Sequence, residues 1–281
     1  MLGGFDYVRP RSIEAACRAL AEAENPSILA GGTDLLVEIR NGFRSPDLLI
    51  DVKGIDELGH LDTDGEEWIV GATVPLNVLA ERRAVRDALP ALADAALSIG
   101  TYQLRNRATL AGNLCNASPA ADSAPVLMTI DASLSVAGPD GRRTVPVSKL
   151  FTGVKRTCLL PGEIATNLHI PRPERHVRTA FLKQQRIRGH DLAVVNVAGA
   201  YDPSPKRLRI AIGSCAPTPV LLEPIDGSGS TAAVVAHAVE LAAAATSPIS
   251  DVRASADYRR AILPVLLRRL IDQLLDGGGA P

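Results

Sequence analysis

The sequence has no Cys-x-x-Cys pair, no His-x-x-x-His pair, few aromatic residues and almost no net charge. Its four cysteines, Cys17, Cys115, Cys158 and Cys215, stand far apart, and its five histidines are scattered. A zinc or iron–sulfur site built within the chain is not expected, since such sites draw ligands from close pairs. Free thiols in a reducing compartment fit better than disulfides. Aromatic residues make up 3% and Trp68 is the single tryptophan, so surfaces on which bases stack are sparse. A formal charge of −1 provides no broad basic field for nucleic acid. No stretch reaches the roughly 18 apolar residues of a membrane span. MLGGFDYVRPRS lacks the apolar core of a secretory signal, and the expected location is cytoplasmic.

The chain does have enough material for two or three cores. It runs to 281 residues and is 46% hydrophobic, against roughly 100–200 residues per domain. Residues 12 to 24 carry a helical stripe of Ala15, Ala16, Ala19 and Leu20 behind the N-cap Ser12. PSILA (26–30) reads as a strand, DLLVEIR (34–40) as a helix stopped by Asn41-Gly42, and LLIDV (48–52) and WIVGATV (68–74) as strands. Residues 76 to 100 are helical with a break at Pro90. LSVAG and RRTVPV flank a Pro-Asp-Gly turn, and EIATNLHIP is a further strand. From 177 the pattern becomes three antiparallel strands, RTAFLKQQR, LAVVNVAGAYD and RLRIAIGSCA. EPIDGSGST reads as a flexible linker, and two helices follow, the second starting near Ser255 or Asp257. The expected division is 1–176, itself split near 54, and 177–281.

Two loops carry the chemistry. In ILAGGTDLL, the glycines of Gly31-Gly32-Thr33 stand between a strand and a helix. They make either a tight turn or a cradle whose backbone N–H groups approach an anion, helped by the helix N-terminus. Asp34 is expected to cap that helix. No G-x-G-x-x-G or Walker pattern occurs, so neither a Rossmann nor a P-loop site is supported. The second loop, TLAGNLCNASPAAD (109–122), reads as neither helix nor strand and is too uncharged for an ordinary surface loop. Gly112-Asn113 suits left-handed backbone and a nest for anions. Thr109, Asn116 and Ser118 supply neutral donors, and Asp122 an acceptor for a sugar hydroxyl. The two loops together suit a dinucleotide. Read as ordinary loops, Asn116 and Asp122 would only hold turns.

AGGTDLL and TLAGNLCNASPAADSAPVL resemble the two FAD loops of the flavin-binding medium subunit of the xanthine dehydrogenase and carbon monoxide dehydrogenase family, the molybdenum hydroxylases. FLKQQRIRGHDLAVVNVA (181–198), CAPTP (215–219) and DVRASADYRR (251–260) extend the resemblance over nearly the whole chain. It implies an α+β fold: a two-subdomain FAD-binding domain of the PCMH or vanillyl-alcohol-oxidase-like type, then a C-terminal domain with a three-stranded antiparallel sheet and helices. It places Ile28, Leu29, Ala30, Gly31, Gly32, Thr33, Asp34 and Leu35 against the diphosphate. It places Thr109, Gly112, Asn113, Asn116, Ser118 and Asp122 on the phosphates, sugar or adenine side, and Ala165 at a backbone contact. Lys183 falls beside the flavin ring, where a cation stabilises negative charge on the reduced ring. From the residues alone, Lys183 reads as a solvated strand lysine.

Two departures stand out. The loop reads Ala111-Gly112 where the family usually has two glycines, so Ala111 must hold negative φ. His190 stands where some relatives carry an acidic residue, and an exposed loop histidine is its plain reading. The cysteine-bearing insertion of the hydroxybenzoyl-CoA reductase branch is absent.

The resemblance implies FAD on this chain, a small subunit with two [2Fe–2S] clusters and a large molybdopterin–molybdenum subunit, arranged as a dimer of heterotrimers. Electrons would pass from the clusters through FAD to an external acceptor, and this chain would hold no catalytic acid, base or nucleophile and no metal. CNASPAADSAPVL and CAPTP favour the xanthine dehydrogenase-like branch. A carbon monoxide dehydrogenase or N-heteroaromatic hydroxylase medium subunit is the alternative. So is a self-contained FAD oxidoreductase of the same fold, such as berberine-type oxidases or the murein-precursor reductase. A flavin-free scaffold is the remaining class.

Overall fold

A computed structural model describes residues 4–187 and 189–276. Arg188 of the segment 181–198, and residues 1–3 and 277–281 of the expected domains, lie outside the described residues.

The chain begins with a small parallel sheet. Leu48–Asp51 lies between Asp6–Val8 and Pro26–Leu29, parallel to both. Parallel neighbours need crossovers, and the helix Ile13–Glu22 supplies one. Ser12 caps that helix by accepting from the Ala15 N–H at 3.1 Å. Ile13, Ala16 and Cys17 pack on Ile50, Val52, Ile55 and Leu58 to form a core of their own.

A second, antiparallel sheet runs Leu61–Asp62, Glu67–Gly71, Ile164–Pro171, Ser133–Gly138, Gly141–Pro146. Short helices fill the long excursion between its second and fourth strands. Pro90 breaks the helical run as expected, taking the first position of the helix Pro90–Leu97, where its missing N–H costs nothing. The stretch from 105 to 127 departs from expectation, since it contains the helices Leu110–Cys115 and Ser123–Thr129.

The third sheet is built on Arg178–Gln184, Val195–Asp202 and Arg207–Gly213, antiparallel as the pattern predicts. Val220–Leu221 and Ile225–Asp226 both pair with its third main strand, so the expected flexible linker is partly an edge strand. Alternation along the strands gives the sheet two different faces. Val195, Val197, Leu208, Ile210 and Ile212 meet the C-terminal helices Thr231–Ala245 and Ala256–Leu275. The opposite face presents Phe181, Ala198 and Ala211, which join one core with Ala124, Leu127 and Trp68. The register on this second face puts Lys183 opposite Asn196, and Asn196 opposite Gly213.

Candidate functional site

One cavity of about 1000 Å³ lies where the small parallel sheet, the short helices and the third sheet meet. Every residue expected at the site lines it except Leu29. Leu29 stands behind the loop instead, because a Cβ placed on Gly32 would lie 2.8 Å from its side chain.

The strand Pro26–Leu29 delivers the first loop to the cavity. Lys53 ties down its end, pairing with Asp51 at 2.6 Å and donating to the Ala30 carbonyl at 2.8 Å. The two glycines answer different demands. A Cβ on Gly31 would sit 2.1 Å from the Arg107 carbonyl oxygen, so this residue is where the first loop presses on the approach to the second. Gly32 has φ +74, left-handed backbone that suits glycine. The helix Leu35–Arg40 then begins, and the Leu36 N–H reaches the Gly32 carbonyl at 3.1 Å. Among the described residues, the N–H groups of Thr33, Asp34 and Leu35 have no backbone acceptor, as a helix start requires.

Asp34 does not cap this helix. Its φ of −97 and ψ of −49 are helical, and its side chain makes no capping bond. A capping side chain needs extended backbone at its own residue, and here the chain has already turned at Gly32.

The second loop also departs from the expected nest. Gly112 and Asn113 lie inside the helix Leu110–Cys115 and are not left-handed. Thr109 caps that helix, its hydroxyl accepting from the Gly112 N–H at 3.0 Å. Two residues as poor in helix propensity as Gly and Asn hide a helix this short. Ala111 is inside it, buried and with negative φ, so the departure from a glycine pair is absorbed without strain. The left-handed residue is Ala117, with φ 46.

The side chains expected as donors are partly engaged. The Asn113 carbonyl oxygen accepts from the Ser123 hydroxyl at 2.6 Å, and among the described residues its amide N–H groups have no partner. Ser118 accepts from the Ala120 N–H at 3.2 Å. Ala165 lies at a register shift between Ile164–Pro171 and Ser133–Gly138, which frees its backbone from the regular ladder.

Asp122 is not an open acceptor for a sugar. It is buried, and Lys183 Nζ lies 2.7 Å from its Oδ2. The Asn196 amide donates to Oδ1 at 2.7 Å and the Ser98 hydroxyl to Oδ2 at 3.1 Å. Burial raises the Asp122 carboxyl above the usual aspartate value, opposed by Lys183, Asn196 and Ser98. Lys183 is correspondingly no solvated strand lysine, since its side chain is 7% exposed. A second of its N–H groups goes to the Ser98 carbonyl at 3.1 Å. An ammonium has three donors, and the third is left for the cavity. Gly213 makes the arrangement possible, for a Cβ there would overlap the Asn196 amide at 2.0 Å.

Sequence reasoning missed Lys155, Glu38 and Arg44, which also line the cavity. Lys155 Nζ meets Glu38 at 2.8 Å and the Asn116 carbonyl oxygen at 2.5 Å. Burial would raise the Glu38 carboxyl, but Lys155 and Arg44 hold it below the ordinary glutamate range. A lysine at a hairpin tip carries no sequence signal of such a contact. His190, expected as an exposed loop residue, is exposed and stands at the cavity edge.

The arrangement is donor-rich where the two loops approach, and apolar along Ile28, Leu35, Leu104 and Leu159. Its volume is at the upper end of small-molecule sites. A large, partly aromatic ligand with a central anion matches it. The residues fit FAD: unpaired N–H groups at the first loop for a diphosphate, apolar walls for rings, and a buried cation at the third sheet.

The comparisons with known proteins agree. Residues 3–173 match the FAD binding domain in molybdopterin dehydrogenase, and residues 180–274 the CO dehydrogenase flavoprotein C-terminal domain. The carbon monoxide dehydrogenase medium chain of Hydrogenophaga pseudoflava is 31% identical over 95% of this chain and 96% of that one. The xanthine dehydrogenase FAD-binding subunit of Escherichia coli O157:H7 is 28% identical over 97% of each. A solved carbon monoxide dehydrogenase from Hydrogenophaga pseudoflava, lacking the Mo-pyranopterin moiety of its molybdenum cofactor, superposes with a TM-score of 0.90. It is 29% identical over 98% of this chain and 99% of that one. No helix among the described residues is long and apolar enough to cross a membrane. With an α+β fold, a flavin-sized cavity and matches along its length, the chain belongs to the FAD-binding subunits of the xanthine dehydrogenase and carbon monoxide dehydrogenase family, the oxidoreductases known as molybdenum hydroxylases.

Proposed function

We propose that this chain binds FAD in the cavity described above and serves as the electron-transfer subunit of a xanthine dehydrogenase-like complex. In that complex a small subunit with [2Fe–2S] clusters delivers electrons, and a large molybdopterin subunit acts on the substrate. A dimer of heterotrimers in the cytoplasm is the assembly we propose, with this chain divided near residue 176. FAD, when bound, supplies the two-electron to one-electron chemistry between the clusters and an external acceptor.

The chain's own residues bind and tune. The N–H groups of Thr33, Asp34 and Leu35 and the Thr33 hydroxyl face the diphosphate. Asn113 and Asn116 add neutral donors. Lys183, held by Asp122 and Ser98, keeps a positive charge at a fixed place in a water-poor wall, where it acts strongly on the cofactor's potential. No proton is moved by these groups.

The observation that carries this reading is the convergence of two loops distant in sequence on one cavity with Lys183. The visible spectrum of the purified chain tests it. Flavin absorbance, or its appearance on adding FAD, is expected, and a colourless chain that takes up no FAD overturns the reading. The xanthine-type assignment has its own test. Xanthine added without oxygen to the purified complex should bleach the flavin, whereas bleaching by carbon monoxide alone would place the complex in the other branch.

A further inference from the structure

The contact between Lys155, Glu38 and Asn116 joins three parts of the chain that are distant in sequence. Glu38 is on the helix that follows the first loop. Asn116 ends the helix of the second loop. Lys155 is at the tip of the hairpin made by Phe151–Gly153 and Arg156–Thr157. All three line the cavity. The hairpin is pinned there twice. The Lys155 N–H donates to the Ala117 carbonyl at 3.0 Å, and its ammonium bridges Glu38 at 2.8 Å and Asn116 at 2.5 Å. Both Lys155 and Ala117 are left-handed, with φ of 57 and 46. That conformation is uncommon for side-chain-bearing residues, and at Lys155 it is the one a two-residue hairpin tip uses. Arg44 fixes the other side of the bridge, 2.7 Å from Glu38.

We propose that Glu38 and Lys155, with Asn116, form a clasp across the cavity mouth that slows escape of the bound cofactor. The clasp rests on the FAD reading above. Lys155 and Asn116 tie the hairpin to the second loop, and Glu38 ties both to the first. Opening of this bridge would free the hairpin and the two loops to move apart around a ligand held between them. The side chains are 41% and 19% exposed, so the bridge is of the partly screened kind, strong enough to alter a rate and weak enough to open.

Release of FAD from the full chain, purified with its flavin and any partner chains that accompany it, tests the clasp. The rise of free-flavin fluorescence after dilution gives the rate. Lys155→Met and Glu38→Gln are each expected to release FAD about two- to fivefold faster than the native chain. The double variant should be no faster than the quicker single one, because both remove the same bridge. Lys155→Arg should restore slow release, which separates the clasp from general damage to the fold. Unchanged release in both single variants overturns the clasp and leaves FAD binding intact. Slower release in Glu38→Gln also overturns it, since Lys155 would then act directly on the cofactor once freed from Glu38. A native chain that takes up no FAD overturns the underlying reading and the clasp with it.

Discussion

Lys183 and Asp122 are separated by 61 positions in the chain and by 2.7 Å in the fold. Both side chains are almost wholly buried, 7% and 5% exposed. Strand register makes the pair possible: Lys183 faces Asn196 across one ladder, Asn196 faces Gly213 across the next, and Asn196 also binds Asp122. A buried ion pair survives when its remaining lone pairs and protons are satisfied; here Ser98 and Asn196 satisfy the carboxylate, the Ser98 carbonyl takes a second Lys183 N–H, and the third N–H is left for the cavity. The arrangement joins the third sheet to the second loop at the cavity wall.

Removing one partner should therefore be costly. Lys183→Met leaves a buried carboxylate without its cation, and a loss of about 3–5 kcal/mol is expected in urea unfolding. Lys183→Met combined with Asp122→Asn should recover much of that loss, since no charge is then stranded. A single-variant loss below about 1 kcal/mol would mean that the pair behaves as a solvated one.

Much of this fold was legible because local chemistry wrote it. Ser12, Pro90, the Asn41-Gly42 stop and the alternation of the last three strands each act within a few residues. What escaped depended on distance or on neighbours. Asp34 has the right residue type for a cap, but the turn at Gly32 had already made its backbone helical. The helix Leu110–Cys115 owes its existence to the Thr109 cap and to burial of Leu110, Ala111 and Leu114, not to the propensity of Gly112 and Asn113. Asp122 looked like a free acceptor because its partners, Lys183 and Asn196, arrive from a sheet far along the chain. Lys155 looked like nothing at all.

The glycine pair gives a graded prediction. A Cβ at Gly31 would lie 2.1 Å from the Arg107 carbonyl oxygen and 2.7 Å from its carbon. Both are backbone atoms, so one loop must move. Gly32→Ala meets only side chains, from Leu29 at 2.8 Å and Leu36 at 3.2 Å, but must also hold φ +74, a strain of about 1–2 kcal/mol. Gly31→Ala is expected to lose flavin more completely than Gly32→Ala. The ratio of flavin to protein absorbance in the purified variants measures it, and the reverse order would show that backbone strain outweighs loop contact.

Cys115 lines the cavity, yet it should be chemically quiet. Burial, with a smaller contribution from nearby Cys158, pushes its thiol up to about 12. Burial pushes Cys215 up to about 11. The thiolate is the reactive form, and at pH 8 only about one Cys115 in ten thousand carries it. Iodoacetamide at that pH should leave both residues unmodified in the native chain and label both after unfolding, as read by peptide mass mapping. Rapid native labelling of Cys115 would mean that the partly buried thiol at the cavity wall is open to reagent and ionises readily.

Acid should attack the C-terminal domain through Asp251. Burial alone would raise this carboxyl, but Arg253 and Arg259 hold it well below the usual aspartate range. Arg253 lies 2.5 Å from it and Arg259 2.8 Å. Arg259 is 1% exposed, and it also donates to the Val194 and Ser214 carbonyls, so it stitches the last helix to two strand ends. A carboxyl whose folded value is depressed binds fewer protons in the native state than in the unfolded one. Its stabilisation is then complete above the unfolded value of about 3.9 and disappears as pH falls through the folded value. Stability should thus be insensitive to this group near neutrality and should drop with acid below about pH 4. Asp251→Asn removes that part of the acid dependence and lowers stability at pH 7, because Arg259 is left buried without its anion; the cost expected is about 3 kcal/mol. Urea midpoints of native and variant chains between pH 3 and pH 8 decide the matter. The two curves should converge as the pH falls, and parallel curves over the whole range would mean that Asp251 is not the group acid acts on.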